Sequence, residues 1–229
     1  MYHLFSQPLD SAQSPASIEK RSFELIDQCV PSPRPYAGRL WEIARRCIHT
    51  SGDCSILPDL RLSASALERG LEALSLGCTI YTDTRMAREA LSQRRLAPFG
   101  CRVLALMDLP GLETLARQKG TTRAHAALRQ IKDQLRGQVV VIGNAPTALL
   151  CLLDCLQEGS PEPALIVGMP VGFVNAAQSK ELLNQSPYSH FTLLGTRGGS
   201  ALAACCINAM LEMLLRENTP TTQEAVLPA

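Results

Sequence analysis

The 229-residue chain lacks an excess of charge of either sign, with 22 Lys and Arg against 21 Asp and Glu, and it carries no basic stripe. Nucleic acid needs a dense cationic face, so it is not an expected partner. No apolar run reaches the roughly 18 to 20 residues of a membrane span, so no membrane partner is expected either. The opening stretch MYHLFSQPLDSAQSPAS has no basic region followed by an apolar one. No secretory signal is therefore expected, and the expected location is cytoplasmic.

Motifs are missing as well. No GxxxxGK[ST] occurs, and GTRGGS lacks the GxGxxG spacing and follows the last apolar run rather than the first. Nucleotide and dinucleotide phosphates are thereby disfavoured as ligands. The nine cysteines stand at 29, 47, 54, 78, 101, 151, 155, 205 and 206, with no CxxC pair and no histidine at ligand spacing. Most lie in apolar runs such as LLCLLDCL and LAACCINAM, where a reduced thiol packs as a small hydrophobe. No metal site is expected.

What is present is an ordinary globular composition, 46% apolar. It suits a single domain over 1–229, with 1–16 and 218–229 expected to be loosely ordered. SPASIEKRSFELIDQCV, YAGRLWEIARRCIH and SASALERGLEALSLG read as three leading helices. The pattern then alternates: short β-rich runs CTIYT, CRVLALM, VVVIG, ALIVG and FTLLG come between helical segments. The clearest of these are APTALLCLLDCLQEG, NAAQSKELLNQ and SALAACCINAMLEMLLREN. Runs such as QVVVIG are continuously apolar, so both faces are covered. The expectation is an α/β layered domain with a mainly parallel, about five-stranded sheet flanked by helices, plus an N-terminal helical segment.

In such sheets ligands bind beyond the carboxyl ends of the strands. Four loops follow strands here: TDTRM, GNAPT, GMPVGF and GTRGGS. Three are rich in Gly and Pro and stand just before a helix, where backbone can approach a ligand and free N–H groups face an anion. Each could equally be only a turn. The candidate binding residues are Thr82, Asp83, Asn144, Pro146, Pro170, Gly172, Arg197, Gly198 and Gly199. In GTTRAHAALRQIKDQL, Thr121 or Thr122 caps a helix and Arg123 lies in its first turn, against the helix dipole. Either a fixed anionic ligand offsets that penalty or Arg123 extends into water.

Of the four histidines, His3 and His190 read as surface residues and His125 as partly buried packing. His49 would project away from the Leu40/Ile43/Cys47 face, and Thr50, Ser51, Gly52 and Asp53 follow it with groups able to orient an imidazole. On these grounds it is either helix punctuation or a catalytic group.

The stretches IHTSGD, GCTIYTDTRM, GTTRAHAAL, VVVIGNAPTALL, PALIVGMPVGFVNAAQSKELL and RGGSALAACCINAML together resemble the precorrin-8X methylmutases, also called cobalt-precorrin-8 methylmutases, of cobalamin biosynthesis. The similarity runs from about Ser17 to about Leu215, and IGNAPTAL with PVGFV and SKE carries most of its specificity. The resemblance implies a cofactor-free isomerase that moves a methyl group from C-11 to C-12 of a contracted tetrapyrrole. It also implies a homodimer with active sites near the subunit interface. By the same resemblance the catalytic histidine falls on His49, a substrate-binding serine on Ser22 and a carboxylate-binding arginine on Arg123. Two positions depart from the family pattern. Leu194 and Thr196 replace basic residues of the last glycine loop, leaving Arg197 as its cation, and His125 stands where a small residue is common. The competing readings are a carrier that grips a tetrapyrrole without converting it, and a Rossmann-like reductase, which the missing fingerprint disfavours.

Overall fold

A computed structural model describes residues 14–218. It begins with α1 (Pro15–Cys29) and α2 (Gly38–Ser51), then β1 (Leu60–Arg61), α3 (Ala64–Ser75) and β2 (Thr79–Thr82). Two short helices, α4 (Arg85–Glu89) and α5 (Gln93–Leu96), lead to β3 (Arg102–Ala105). After α6 (Leu112–Lys119) and α7 (Arg123–Ile131), strand and helix alternate through β4 (Val139–Ile142), α8 (Pro146–Gln157), β5 (Leu165–Gly168), α9 (Ala176–Asn184), β6 (His190–Leu193) and α10 (Ser200–Asn218).

The sheet has six strands in the order β1-β6-β5-β4-β2-β3, parallel except for β1, which runs antiparallel to β6. The expected count of about five omits β1, whose two residues are too few to show a period. The chain reverses direction across the sheet between β2 and β4, and that reversal opens the crevice where ligands bind in such folds.

Continuous apolar strands have a direct explanation. Val139 and Val141 enter one buried cluster, together with α2, α3 and α10, while Val140 and Ile142 enter the other, beneath α7 and α8. All four are fully buried, and each contributes on the order of 1.5–3 kcal/mol of transfer free energy. A polar substitution at any of them would fall inside one layer or the other.

Caps set the leading helices. Ser14 Oγ accepts from Ser17 N at α1, and Ser63 Oγ accepts from Ala66 N at α3. Helix α2 does not stop at His49, as its broken sequence suggested. It continues to Ser51 and ends at Gly52, a left-handed cap with φ 66°, so His49 lies in its last turn. Across α1, α2 and α10, Arg46 reaches Glu19 (2.9 Å) and Glu212 (2.5 Å). Helix α1 opens at Pro15, within the stretch expected to be helical, so Pro15 and Ala16, also counted in the loose stretch 1–16, are helical, as is Asn218 at the end of α10; residues 1–13, with His3, and 219–229 lie outside the described residues. His190, expected on the surface, opens β6 half-buried with Nδ1 2.7 Å from Tyr188 O. Among the described residues no helix is long and apolar enough to cross a membrane.

Candidate active site

Helices α1 and α2 pack so that residues 22 and 49 meet: Ser22 Oγ lies 2.7 Å from His49 Nδ1. Phe23, the next residue on α1, meets the imidazole ring edge-on, with centroids 5.6 Å apart and planes at 64°. The guanidinium groups of Arg45 and Arg46 stand over the same phenyl ring at 4.3 and 5.2 Å. His49 is exposed, but a hydroxyl and a ring fix its orientation. Nδ1 is engaged by Ser22, while Nε2 makes no hydrogen bond among the described residues.

Past Gly52 the chain forms a short 3-10 turn, Cys54–Asp59, capped by Asp53, whose side chain accepts from Ser55 N at 2.8 Å. The Ser55 hydroxyl and amide, with the Arg197 guanidinium, hold Asp53 below the usual carboxylate range. Arg197, the cation expected to serve a ligand, is engaged by the protein itself. It donates to Asp53 (2.7 Å), Asp59 (2.8 Å), the Ser55 hydroxyl (2.8 Å) and the Ser55 carbonyl (3.1 Å). These bonds tie the glycine loop to the turn after α2. A groove of about 340 Å³ results, lined by Thr50, Ser51, Asp53, Ile56, Val171, Arg197, Gly198, Ala201 and Leu202. The groove joins the exit of α2, one residue beyond His49, to the carboxyl edge of the sheet.

At that edge the loops are tied together. Asp83, 1% exposed, accepts backbone N–H bonds from Gly143 (3.1 Å), Asn144 (2.7 Å) and Ala145 (2.7 Å). Burial pushes its carboxyl up, and the three amides oppose that. The amides that the sequence offered to an external anion are thus already occupied from within. Thr82 is fully buried and donates to Thr84 O. Thr84 Oγ1 in turn lies 3.1 Å from Ser200 Oγ. Gly199 N donates to Met169 O and Gly172 N to Thr196 O, which joins the loops after β5 and β6. Contact here demands glycine: a Cβ on Gly198 would lie 2.2 Å from Met169 O, and one on Gly143 would lie 2.6 Å from Ser200 Cα. Pro146 opens α8 and Pro170 is buried beside the Gly198 contact. Lys180 is fully buried and donates to Arg197 O at 2.5 Å; burial pulls its amine down to about 8.

Thr122, not Thr121, caps α7, accepting from His125 N. Its hydroxyl lies 2.8 Å from Thr147 Oγ1, placing the start of α7 beside the start of α8. Arg123 is exposed and makes no hydrogen bond or ion pair among the described residues. Thr121 and His125 line a separate cavity of about 410 Å³ with Lys119 and Arg129. His125 is half-buried as expected, and its buried Nδ1 has no hydrogen-bond partner among the described residues.

Sequence reasoning passed over Phe173 and Val174, 92% and 78% exposed beside the half-exposed Val171. The signal was available: an apolar pair in a loop between a strand and a helix, in a chain with only five Phe. It also passed over Phe23, whose meaning depends on the fold, and over Lys180, which the quoted SKE contains.

Comparisons with known proteins identify the family. A family model described as precorrin-8X methylmutase matches residues 17–213. A precorrin-8X methylmutase of Pseudomonas aeruginosa is 44% identical over 173 residues, covering 75% of this chain and 83% of the relative. A cobalt-precorrin-8 methylmutase of Salmonella typhimurium is 41% identical over 204 residues, covering 87% of this chain and 95% of the relative. The crystal structure of a precorrin-8X methylmutase from Thermus thermophilus matches with a TM-score of 0.80 at 36% identity, over 90% of this chain and 100% of that one.

Proposed function

The chain belongs to the precorrin-8X methylmutase family, and from that premise we propose that His49 is the general acid of an intramolecular methyl shift on a carboxylate-rich tetrapyrrole. The observation that carries the assignment is the 2.7 Å contact between Ser22 Oγ and His49 Nδ1, made across two helices and 27 residues of chain. In the imidazolium, Nδ1–H donates to Ser22 Oγ and Nε2–H presents the proton; once that proton is delivered, the neutral ring keeps its proton on Nδ1. Protonating the conjugated macrocycle beside the migrating methyl raises its electron demand and favours the shift from C-11 to C-12. The proton returns when the shift is complete, so substrate and product differ only in where the methyl sits. One such group is sufficient, because no hydride or phosphate changes hands. Catalysis requires only that the contact be stronger in the transition state than before it.

The surroundings support the same reading. A flat macrocycle offers apolar faces and an anionic rim. Val171 lines the groove, Phe173 and Val174 add exposed apolar surface in the same loop, and Arg123, without a partner among the described residues, offers a cation to a peripheral carboxylate. Arg197, Asp83 and the glycines shape this floor rather than touch the ligand. An exposed Phe and Val side by side also support a homodimer that covers them beside the active site. All nine cysteines are free, which supports a reducing, cytoplasmic setting.

The test mixes purified protein, without added cofactor, with precorrin-8X and separately with its cobalt form, and follows the visible spectrum. Conversion to the corrin spectrum that His49→Ala abolishes is the expected result, and it identifies the form that is turned over. Binding of both without conversion of either would leave a carrier and overturn the assignment of His49.

A further inference from the structure

Sequence spacing argued against a metal site, but the fold brings together three thiols from distant parts of the chain. Cys47 Sγ on α2 lies 3.6 Å from both Cys205 Sγ and Cys206 Sγ on α10, and all three sulfurs lie within 4.8 Å of one another. Cys47 and Cys206 are fully buried, and Cys205 is half-buried. Around a metal ion with metal–sulfur bonds of about 2.3 Å, thiolates stand about 3.8 Å apart at tetrahedral angles and about 4.0 Å apart in a trigonal plane. The two observed separations already come within a few tenths of an ångström of those values.

We propose that Cys47, Cys205 and Cys206 form a three-thiolate binding site for a soft monovalent metal ion, Cu(I) in chemical class. The number and kind of donors decide the class. Among the described residues no His, Asp, Glu or fourth Cys joins the group, and structural zinc requires four ligands. Three sulfurs with no oxygen or imidazole suit a soft ion. Binding breaks the S–H bonds of Cys47, Cys205 and Cys206, releases three protons to solvent and forms three metal–sulfur bonds. The metal enters and stays as Cu(I), and nothing is oxidised. Cys47 lies two residues before His49, so a bound ion pins the last turn of α2 to α10. The inference stands independently of the role of His49.

Simple packing is the competing account, because buried cysteine often serves as a small hydrophobe. The experiment titrates the full chain, reduced and anaerobic, with Cu(I) against a chromophoric Cu(I) chelator, and examines the first bound equivalent by X-ray absorption. The shell count discriminates among sites, since the neighbouring pairs Cys78–Cys101 and Cys151–Cys155 offer only two sulfurs each. One equivalent with a three-sulfur shell is expected, unchanged in Cys151→Ala/Cys155→Ala. Cys205→Ser, at the least buried of the three positions, should weaken binding at least tenfold and reduce the shell to two sulfurs. Failure to compete with the chelator, a two-sulfur shell in the parent, or a three-sulfur shell surviving Cys205→Ser would each overturn the site.

Discussion

At the carboxyl edge of the sheet Asp83 is 1% exposed and accepts three backbone N–H bonds, whereas His49, at the end of α2, is exposed and held by one hydroxyl and one ring contact. In the first region every charge already has an internal partner: Asp83 has its amides, Arg197 has Asp53 and Asp59, and Lys180 has a carbonyl. In the second, reactive capacity is left open. The contrast separates two tasks of an active site. Interlocked loops fix the shape of the floor, and in the proposed assignment a few lightly held side chains carry the chemistry, which works only if the floor does not move.

The largest effect is expected where capacity is open. His49→Ala should lower kcat by about 10²- to 10⁴-fold, the usual worth of a general acid, while product still binds. Ser22→Ala should cost less, about tenfold, because the imidazole remains but loses the hydroxyl that orients it. Steady-state kinetics checks both. A Ser22 variant as damaged as the His49 variant would mean that the hydroxyl itself takes part in the chemistry.

Next comes the floor. Asp83→Ala leaves three buried or half-buried amides without their acceptor and should destabilise the fold by about 3 kcal/mol or more, read from urea unfolding. Asp83→Asn should cost less, since it keeps one acceptor oxygen. If Asp83→Ala folded as stably as the parent but lost substrate binding, the carboxylate would belong with His49 rather than with the floor.

Lys180 predicts a pH signature. Its amine falls from about 10.5 unfolded to about 8 folded, so between these values the unfolded chain holds the proton that the folded chain has released. Stability therefore rises with pH across that window, by on the order of 1–3 kcal/mol from this group. Subtracting the pH profile of Lys180→Met isolates the contribution from other titrating groups, and identical profiles would show that the amine stays charged in the fold. The smallest effect is assigned to Arg123. Arg123→Ala should raise KM about tenfold and leave kcat nearly unchanged, and an unchanged KM would remove it from the substrate's rim.

Legibility in the sequence followed the range of the forces involved. Helix α10 was readable end to end, Ser200 to Asn218, because its period and length are local properties. The valines of β4 announced a sheet covered on both faces. The two-residue β1 and the short α4 and α5 left no periodic trace. The eight-residue α6, in GLETLARQKG, was not picked out. His49 was visible as a candidate, but its contact with Ser22 required the packing of α1 on α2. The candidate set named Asp83 and Arg197 as ligand contacts. Their partners, 60 residues away for Asp83 and more than 130 for Arg197, cannot be inferred from neighbouring letters.

The carboxylate of Asp83 has one more consequence. A helix entrance preceded by three inward-pointing amides is ordinarily a socket for any small anion, and in a cell phosphate is the commonest visitor. Here the socket arrives already plugged by a residue of the same chain, so a free phosphate finds no vacancy ahead of α8. Selectivity for a large, many-armed anion over a small one is in this way partly decided before any ligand arrives.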